Sequence, residues 1–118
     1  MSGILGLVGG GGAASSVTVR ISPLSVFASG SGLTHTFSSC TVTVTGGTPS
    51  SYLWTCENQL VGLWYVNSGG TTDTATARVA SVLGQETGTC DFQCAVVVAG
   101  ATYVATAGLY WYNTDVAP

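Results

Sequence analysis

From Val17 onward, apolar and polar residues alternate along most of the chain. The stretch Val17–Ile21 shows the pattern clearly, and its period of two is typical of a half-buried β-strand. Clusters of Gly, Ser, Asn and Pro separate the alternating stretches and supply turns. Eight extended runs are predicted in this way, at residues 17–21, 24–28, 34–45, 52–56, 60–66, 72–82, 89–99 and 101–112.

These runs predict an all-β fold. No stretch has the apolar spacing of a helix, and the abundant Thr and Val residues favour strands. About seven to eight antiparallel strands with regular turns are typical of a two-sheet sandwich or a barrel. We expect Ala75, Ala77 and Val79 to face inward, and the last two runs to form a hairpin about Gly100.

The first sixteen residues differ in character from the rest. Glycine interrupts a short apolar segment and then forms the run Gly9–Gly12, which disfavours a helix and suits a flexible linker. A secretory signal would need a basic segment and a longer apolar core. The sequence predicts an extended N-terminal arm at 1–16, either a disordered tail or an assembly element, before a domain at 17–118. We favour an arm that binds a neighbouring subunit through Ile4, Leu5, Leu7 and Val8.

The composition limits which partners the surface can bind. Of the 118 residues, 46% are hydrophobic and only 6% are charged, whereas free monomers usually carry about a quarter as charges. The shortage favours a subunit whose apolar surface is covered by neighbours. Two Arg and no Lys exclude a phosphate-binding track, so we expect no nucleic-acid partner. No run approaches the roughly twenty apolar residues that span a bilayer, so membrane insertion is not expected.

Two stretches carry a family resemblance. The segment from Cys40 to Trp54 resembles the region of immunoglobulin-like domains in which a cysteine on one strand precedes a core tryptophan on the next. The segment Glu86–Cys94 resembles the corner and the strand that hold the second cysteine. Phe92 stands where such domains carry a tyrosine. The resemblance covers about residues 17–113 and implies an immunoglobulin-like sandwich.

The composition carries a second resemblance. Small Thr-, Gly- and Val-rich immunoglobulin-like domains with almost no charge are similar to those in virion proteins of tailed phages, as capsid decorations, tail appendages and fibre modules. This likeness implies a structural protein located in the virion and made in the host cytoplasm. Its expected partners are capsid or tail subunits and copies of itself.

Four cysteines allow a disulfide, a zinc or a core interpretation. Zinc sites prefer tight C-x₂-C spacings, and the chain has none, so no metal is expected. Cys90 and Cys94 lie on one strand about 13 Å apart, too far to bridge. Under the resemblance, Cys40 pairs with Cys94 between the sheets, and Cys56 faces Cys90. The alternative is four buried, reduced thiols, as suits a reducing cytoplasm.

No set of residues indicates catalysis. His35 is the single histidine, no G-x-S-x-G elbow is present, and the five acids are scattered. Gly9–Gly12 lacks the lysine and the helix of a phosphate-binding loop. We therefore expect neither catalytic residues nor a cofactor.

Consecutive aromatic residues are the last candidates for a binding surface. Neighbours on a strand point to opposite faces, so if Trp54 fills the core, each cluster should send at least one ring to the surface. Exposed Tyr and Trp are favoured at protein interfaces and on sugar platforms. A host-surface adhesion or carbohydrate-binding module is thus the alternative function, with a glycan as its partner. The candidate surface aromatics are Trp64, Tyr65, Tyr110, Trp111 and Tyr112.

Overall fold

The computed structural model describes residues 16–116, and all of the regular structure in that range is β-strand. The strands alternate in burial as their sequences predict, most plainly in the long strand that contains Cys90 and Cys94. In chain order they are β1 (Thr18–Ser22), β2 (Ser25–Gly30), β3 (Thr34–Thr36), β4 (Cys40–Thr45), β5 (Pro49–Leu60), β6 (Leu63–Ser68), β7 (Thr74–Ala80), β8 (Thr87–Val98) and β9 (Ala101–Asn113).

The strands form two packed sheets. In sheet one, β1 pairs with β4, β4 and β3 pair in succession with one edge of β7, and β6 pairs with the other edge. Sheet two has the order β2-β9-β8-β5. This division, with β1, β4, β7 and β6 in one sheet and β5, β8 and β9 in the other, is that of an immunoglobulin-like sandwich. The predicted fold class is therefore confirmed.

One strand pair departs from the antiparallel arrangement that the sequence predicts. β2 runs parallel to β9, with Ser25 beside Gly108 and Gly30 beside Asn113. After β1 the chain crosses from sheet one to sheet two at Pro23 without reversing its direction. β2 therefore runs in the same direction as β9. The alternation of apolar and polar residues cannot predict this, because parallel and antiparallel strands show the same alternation.

The predicted run 34–45 is broken into β3 and β4. Phe37 and Cys40 both face the core, with the exposed residues Ser38 and Ser39 between them. Two residues between inward positions shift the period by one, which is the signature of a β-bulge. The Phe37 N–H still donates to the Ala77 carbonyl at 2.9 Å, so the interrupted strand stays attached to β7.

The core lies between the sheets and contains the predicted inward positions. Ala75, Ala77 and Val79 are buried in sheet one, and Trp54 is buried in sheet two. The Trp54 ring packs on Phe92 with centroids 4.7 Å apart. Among the described residues, no helix is long and apolar enough to cross a membrane.

Candidate functional site

Two of the five candidate surface aromatics belong to the core instead. Trp64 and Trp111 are each only 2% exposed. The sequence did not show which residue of each cluster points outward, and both tryptophans fall in the inward phase of their strands. Trp111 lies on β9 in phase with the buried Leu109, and no space remains above its ring because a Cβ on Gly30 would come within 2.9 Å of it.

His35 belongs to the same aromatic cluster. Its ring stacks on Trp111 with centroids 4.3 Å apart and planes 4° from parallel, and it meets Phe37 edge-on at 4.7 Å. Phe37 continues the cluster to Trp64 at 5.5 Å. Burial lowers the pKa of His35 because the charged imidazolium is poorly solvated there. The single histidine therefore packs between the sheets.

The three predicted tyrosines reach solvent to different degrees and on different sheets. Tyr65 is 41% exposed on the outer face of sheet one, and Tyr110 is 39% exposed on the outer face of sheet two. Tyr112 is half-buried. Each cluster thus sends a ring to the surface, as predicted, but Tyr65 and Tyr110 do not share a face.

The outer face of sheet one is rich in hydroxyl groups. The Thr18 and Thr45 hydroxyls bond to each other across β1 and β4, and the Thr41 and Thr74 hydroxyls lie 3.3 Å apart across β4 and β7. Arg78 donates to the Thr36 hydroxyl at 2.7 Å. Cross-strand threonine pairs give a sheet face polar groups without formal charge. The outer face of sheet one is therefore hydrophilic although the chain has few charged residues.

The outer face of sheet two carries two separate groups of exposed apolar side chains. One cross-strand row joins Leu53, Ala95 and Val104, and a second brings Phe27 of β2 beside Tyr110 of β9. Phe27 is 67% exposed, Leu53 54% and Val104 57%. Two mainly polar rows, Thr55–Gln93–Thr106 and Glu57–Asp91–Gly108, lie between these two apolar rows. We call the side chains of the two apolar rows the apolar face. Exposed apolar side chains grouped in this way are candidates for contact with another molecule.

The side of the sandwich where β5 and β6 lie is closed. The Gln59 amide donates to the Trp64 carbonyl at 2.9 Å and to the Cys56 carbonyl at 3.2 Å, and it accepts from the Trp64 N–H at 3.0 Å. On β5, the Trp54 N–H donates to the Gly70 carbonyl at 2.9 Å. These bonds satisfy edge groups that would otherwise pair with another strand.

The four cysteines face the sandwich interior and form no disulfide. Cys40 and Cys94 lie on opposite sheets, as the predicted inter-sheet pair requires. Cys56 and Cys90 lie diagonally across β5 and β8, and their thiols are in hydrogen-bonding contact. The structure therefore brings together the second pair that the sequence suggested.

The thiols differ in acidity. The bond from Cys90 lowers the pKa of Cys56, against the opposing effects of burial and of the Glu57 charge. The pKa of Cys90 is raised, first by its bond to Cys56 and then by burial. Burial raises the pKa of Cys40, and it raises that of Cys94 to about 11. Cys56 is thus the most acidic thiol of the four.

The arm residues Ile4, Leu5, Leu7 and Val8 lie outside the described residues. Within 16–116, no group of three or more His, Cys, Asp or Glu side chains is arranged to hold a metal ion.

Comparison with known proteins gives little beyond the fold. No family model matches the chain, and no curated protein matches it. The chain is similar to the crystal structure of the titin M3 domain, with 15% identity and a TM-score of 0.43, over 83% of this chain and all of that one. The strand order described above, rather than this likeness, defines the sandwich as immunoglobulin-like.

Sequence reasoning missed the residues that distinguish the two outer faces. Phe27 lies in a short run after Pro23, and the sequence does not show that its side chain lies beside Tyr110 on the surface. Gln59 looks like an ordinary polar residue, yet it closes two strand edges. The sequence held one signal for the apolar face: Leu53 and Val104 are apolar residues at positions where the alternation of their strands predicts a polar, outward residue.

Proposed function

We propose that this protein is a non-enzymatic structural subunit of a tailed-phage particle, a capsid decoration or a tail-associated protein, that assembles through its N-terminal arm. The observation that carries the proposal is the apolar face on a sandwich with almost no charge. Large exposed apolar side chains of this kind favour coverage by a neighbour, and a particle supplies neighbours in a fixed arrangement.

The arm supplies the second part of the proposal. Ile4, Leu5, Leu7 and Val8 provide apolar side chains, each worth about 1.5–3 kcal/mol when fully buried. Gly9–Gly12 then gives the segment freedom to reach another subunit. Repetition by symmetry multiplies a modest contact into stable attachment.

The unbonded thiols agree with assembly in a reducing cytoplasm. Disulfides persist in oxidising compartments, and buried thiols act as small apolar side chains elsewhere. The phage context itself comes from the resemblance in composition to Thr-, Gly- and Val-rich virion domains.

A glycan-binding adhesion module is the competing function. An aromatic sugar platform needs several exposed rings side by side. Tyr110 and Phe27 are one such neighbouring pair, whereas Tyr65 lies on the other sheet and the two candidate tryptophans are buried. The exposed pair is small for a sugar platform and suits a protein contact better.

Mass spectrometry of gradient-purified particles tests the virion role. Cells that make this protein should release particles that contain it in many copies, and the protein should remain bound through a high-salt wash because an apolar contact is not screened. Particles that lack the protein, with all of it in the soluble fraction beside them, would contradict the proposal.

A further inference from the structure

The free edge of β2 is a candidate strand-docking site. In the parallel pair with β9, the Leu24 carbonyl accepts from the Gly108 N–H at 2.9 Å, and the Gly30 carbonyl accepts from Thr114 at 2.8 Å. Since alternate residues of a strand bond to the same side, the backbone groups of Ser25, Phe27 and Ser29 point away from β9. Among the described residues, none bonds to these groups.

The other edges of the sandwich are less suited to an incoming apolar strand. Gln59 and Gly70 occupy the edges of β5 and β6, as described above. The edge strand β1 exposes polar side chains, the charged Arg20 among them, and its Ile21 is buried. Charge opposes pairing at an edge. β2 instead presents Phe27, which is 67% exposed.

We propose that residues Ile4–Val8 of one copy add to the β2 edge of a neighbouring copy as a further strand of sheet two. This inference rests on the proposed function and names the surface that receives its arm. Main-chain bonds to Ser25, Phe27 and Ser29 supply affinity, as in other cases of strand addition, and the side chains supply register.

The arm sequence fits this edge at one register. As a strand, Ile4–Val8 places Ile4, Gly6 and Val8 on one face and Leu5 and Leu7 on the other, so it is apolar on both sides like a strand with two buried faces. The β2 edge offers an apolar neighbour on each side: exposed Phe27 on the outside, and Val26 and Ala28, which are half-buried against the core, on the inside.

Gly6 is the natural partner of Phe27. A glycine opposite an aromatic residue leaves room for the ring to lie over the neighbouring backbone, an arrangement that stabilises glycine in strands. Ile4 and Val8 then flank the ring, and Leu5 and Leu7 lie towards Val26 and Ala28. Because Gly6 is central in Ile4–Val8 and Phe27 is central in Ser25–Ser29, this register holds for either strand direction.

The geometry favours a neighbouring copy over the same one. Ser16 lies against Gly46, at the end of the sandwich that holds the β8–β9 turn. Ser25 pairs with Gly108, seven residues along β9 from that turn, which is about 23 Å away. A glycine-rich linker such as that from Val8 to Ser16 spans only about 16 Å on average. Pairing within one copy therefore needs a nearly straight linker.

Amide hydrogen exchange of the full-length protein tests the proposal. The amides of Ser25, Phe27 and Ser29 should exchange about tenfold or more slowly at high protein concentration than at low concentration, because pairing protects them. Replacing Leu5→Asp together with Leu7→Asp should abolish this protection and reduce the native mass to that of a monomer. The matched control is Leu33→Asp with Leu83→Asp, two leucines 54% and 62% exposed outside the site.

A second variant addresses the receiving edge. Phe27→Lys should lower the native mass as the arm variant does, whereas Leu63→Lys, a change at a similarly exposed residue of sheet one, should not. Slow exchange of the β8 amides shows that each variant is folded. If the arm variant dissociates the oligomer while Ser25, Phe27 and Ser29 exchange freely, the arm binds elsewhere and the β2 site is wrong.

Two other results of these measurements would overturn the proposal. Protection at the β2 edge that does not depend on concentration would place the arm on its own copy and overturn exchange between copies. If neither the arm variant nor Phe27→Lys changes the native mass of an oligomer, the arm has no assembly role, and the proposed function fails along with the site.

Discussion

Single residues in the interior decide the chemical behaviour of this sandwich. The thiols of Cys56 and Cys90 form the clearest example, because one hydrogen bond makes two similar side chains differ in acidity. Cys56 is half-buried, whereas Cys90 is 3% exposed. Reactivity follows the thiolate and its access to solvent, so the pair should respond unequally to an alkylating reagent.

Limited alkylation checks this difference. One equivalent of iodoacetamide at pH 8 should modify Cys56 first, with Cys40, Cys90 and Cys94 protected until the protein unfolds. Cys90→Ala removes the donor and should slow the modification of Cys56 several-fold, whereas Cys90→Ser keeps a hydroxyl donor and should slow it less. Peptide mapping identifies the labelled residue, and equal labelling of all four in the native protein would contradict the assignment.

His35 makes stability depend on pH. Its folded pKa lies below the ordinary value of 6.5, so the unfolded chain binds the proton more readily than the folded one. Stability is therefore highest above about pH 6.5 and falls as the pH drops below that value, until it levels off beneath the folded pKa. The Tm measured from pH 7.5 down to 5.5 should decrease accordingly.

His35→Phe is the matched variant for the pH effect. A phenyl ring keeps the stack on Trp111 but has no proton to bind, so the Tm of this variant should be nearly constant over the same range. An equal decrease in both proteins would assign the effect to other groups.

At the scale of elements, much of the fold was readable from the chain. The hairpin at Gly100 and the inward set Ala75, Ala77 and Val79 followed from alternation and turn chemistry. The break between β3 and β4 was not readable, because two polar residues such as Ser38 and Ser39 continue an extended run as easily as they form a bulge. The parallel pairing of β2 depends on tertiary placement alone.

The turn between β5 and β6 was missed for a different reason. The sequence predicts a continuous run 60–66, but the chain reverses at Val61 and Gly62, whose φ values are 58° and 91°. Two residues with positive φ make the turn that suits a two-residue hairpin, and Asn-Gly is its usual sequence. Val61 is β-branched and is a poor residue for this conformation, so the local signal was absent.

This strained valine leads to a stability prediction. Val61→Asn should raise the free energy of unfolding by about 1 kcal/mol, because Asn tolerates a left-handed backbone that costs most L-residues about 1–2 kcal/mol. Val61 is 46% exposed, so little burial is lost. Urea unfolding measures the change. Val104→Asn, at an exposed valine without positive φ, should not stabilise, and a loss of stability in Val61→Asn would show that the turn is not strained.

At the scale of the whole molecule, the difference between the two outer faces is the main result. Sheet one presents threonine hydroxyls and both arginines, and sheet two presents the apolar face with Glu57 and Asp91 between its two rows. The low charge of the chain suggested covered surface but not which surface. The side chains could be assigned to a sheet only once the pairing of β2 with β9 and of β5 with β8 was known.

The two faces also organise the proposed assembly. A hydroxyl-rich face remains in contact with water, while the apolar face and the β2 edge lie on sheet two, where an incoming arm would extend the sheet. Assembly through one sheet leaves the other sheet and its loops free for display on the particle. Stability of the proposed assembly then depends on the N-terminal arm.

Sedimentation equilibrium in reducing buffer tests this account most directly. The full-length protein is compared with a variant that lacks residues 1–16. We predict that the full chain forms a defined oligomer and that the shortened one is a monomer with an unchanged far-ultraviolet β spectrum. A full-length protein that stays at its monomer mass of 11.9 kDa at every concentration would contradict self-assembly through the arm.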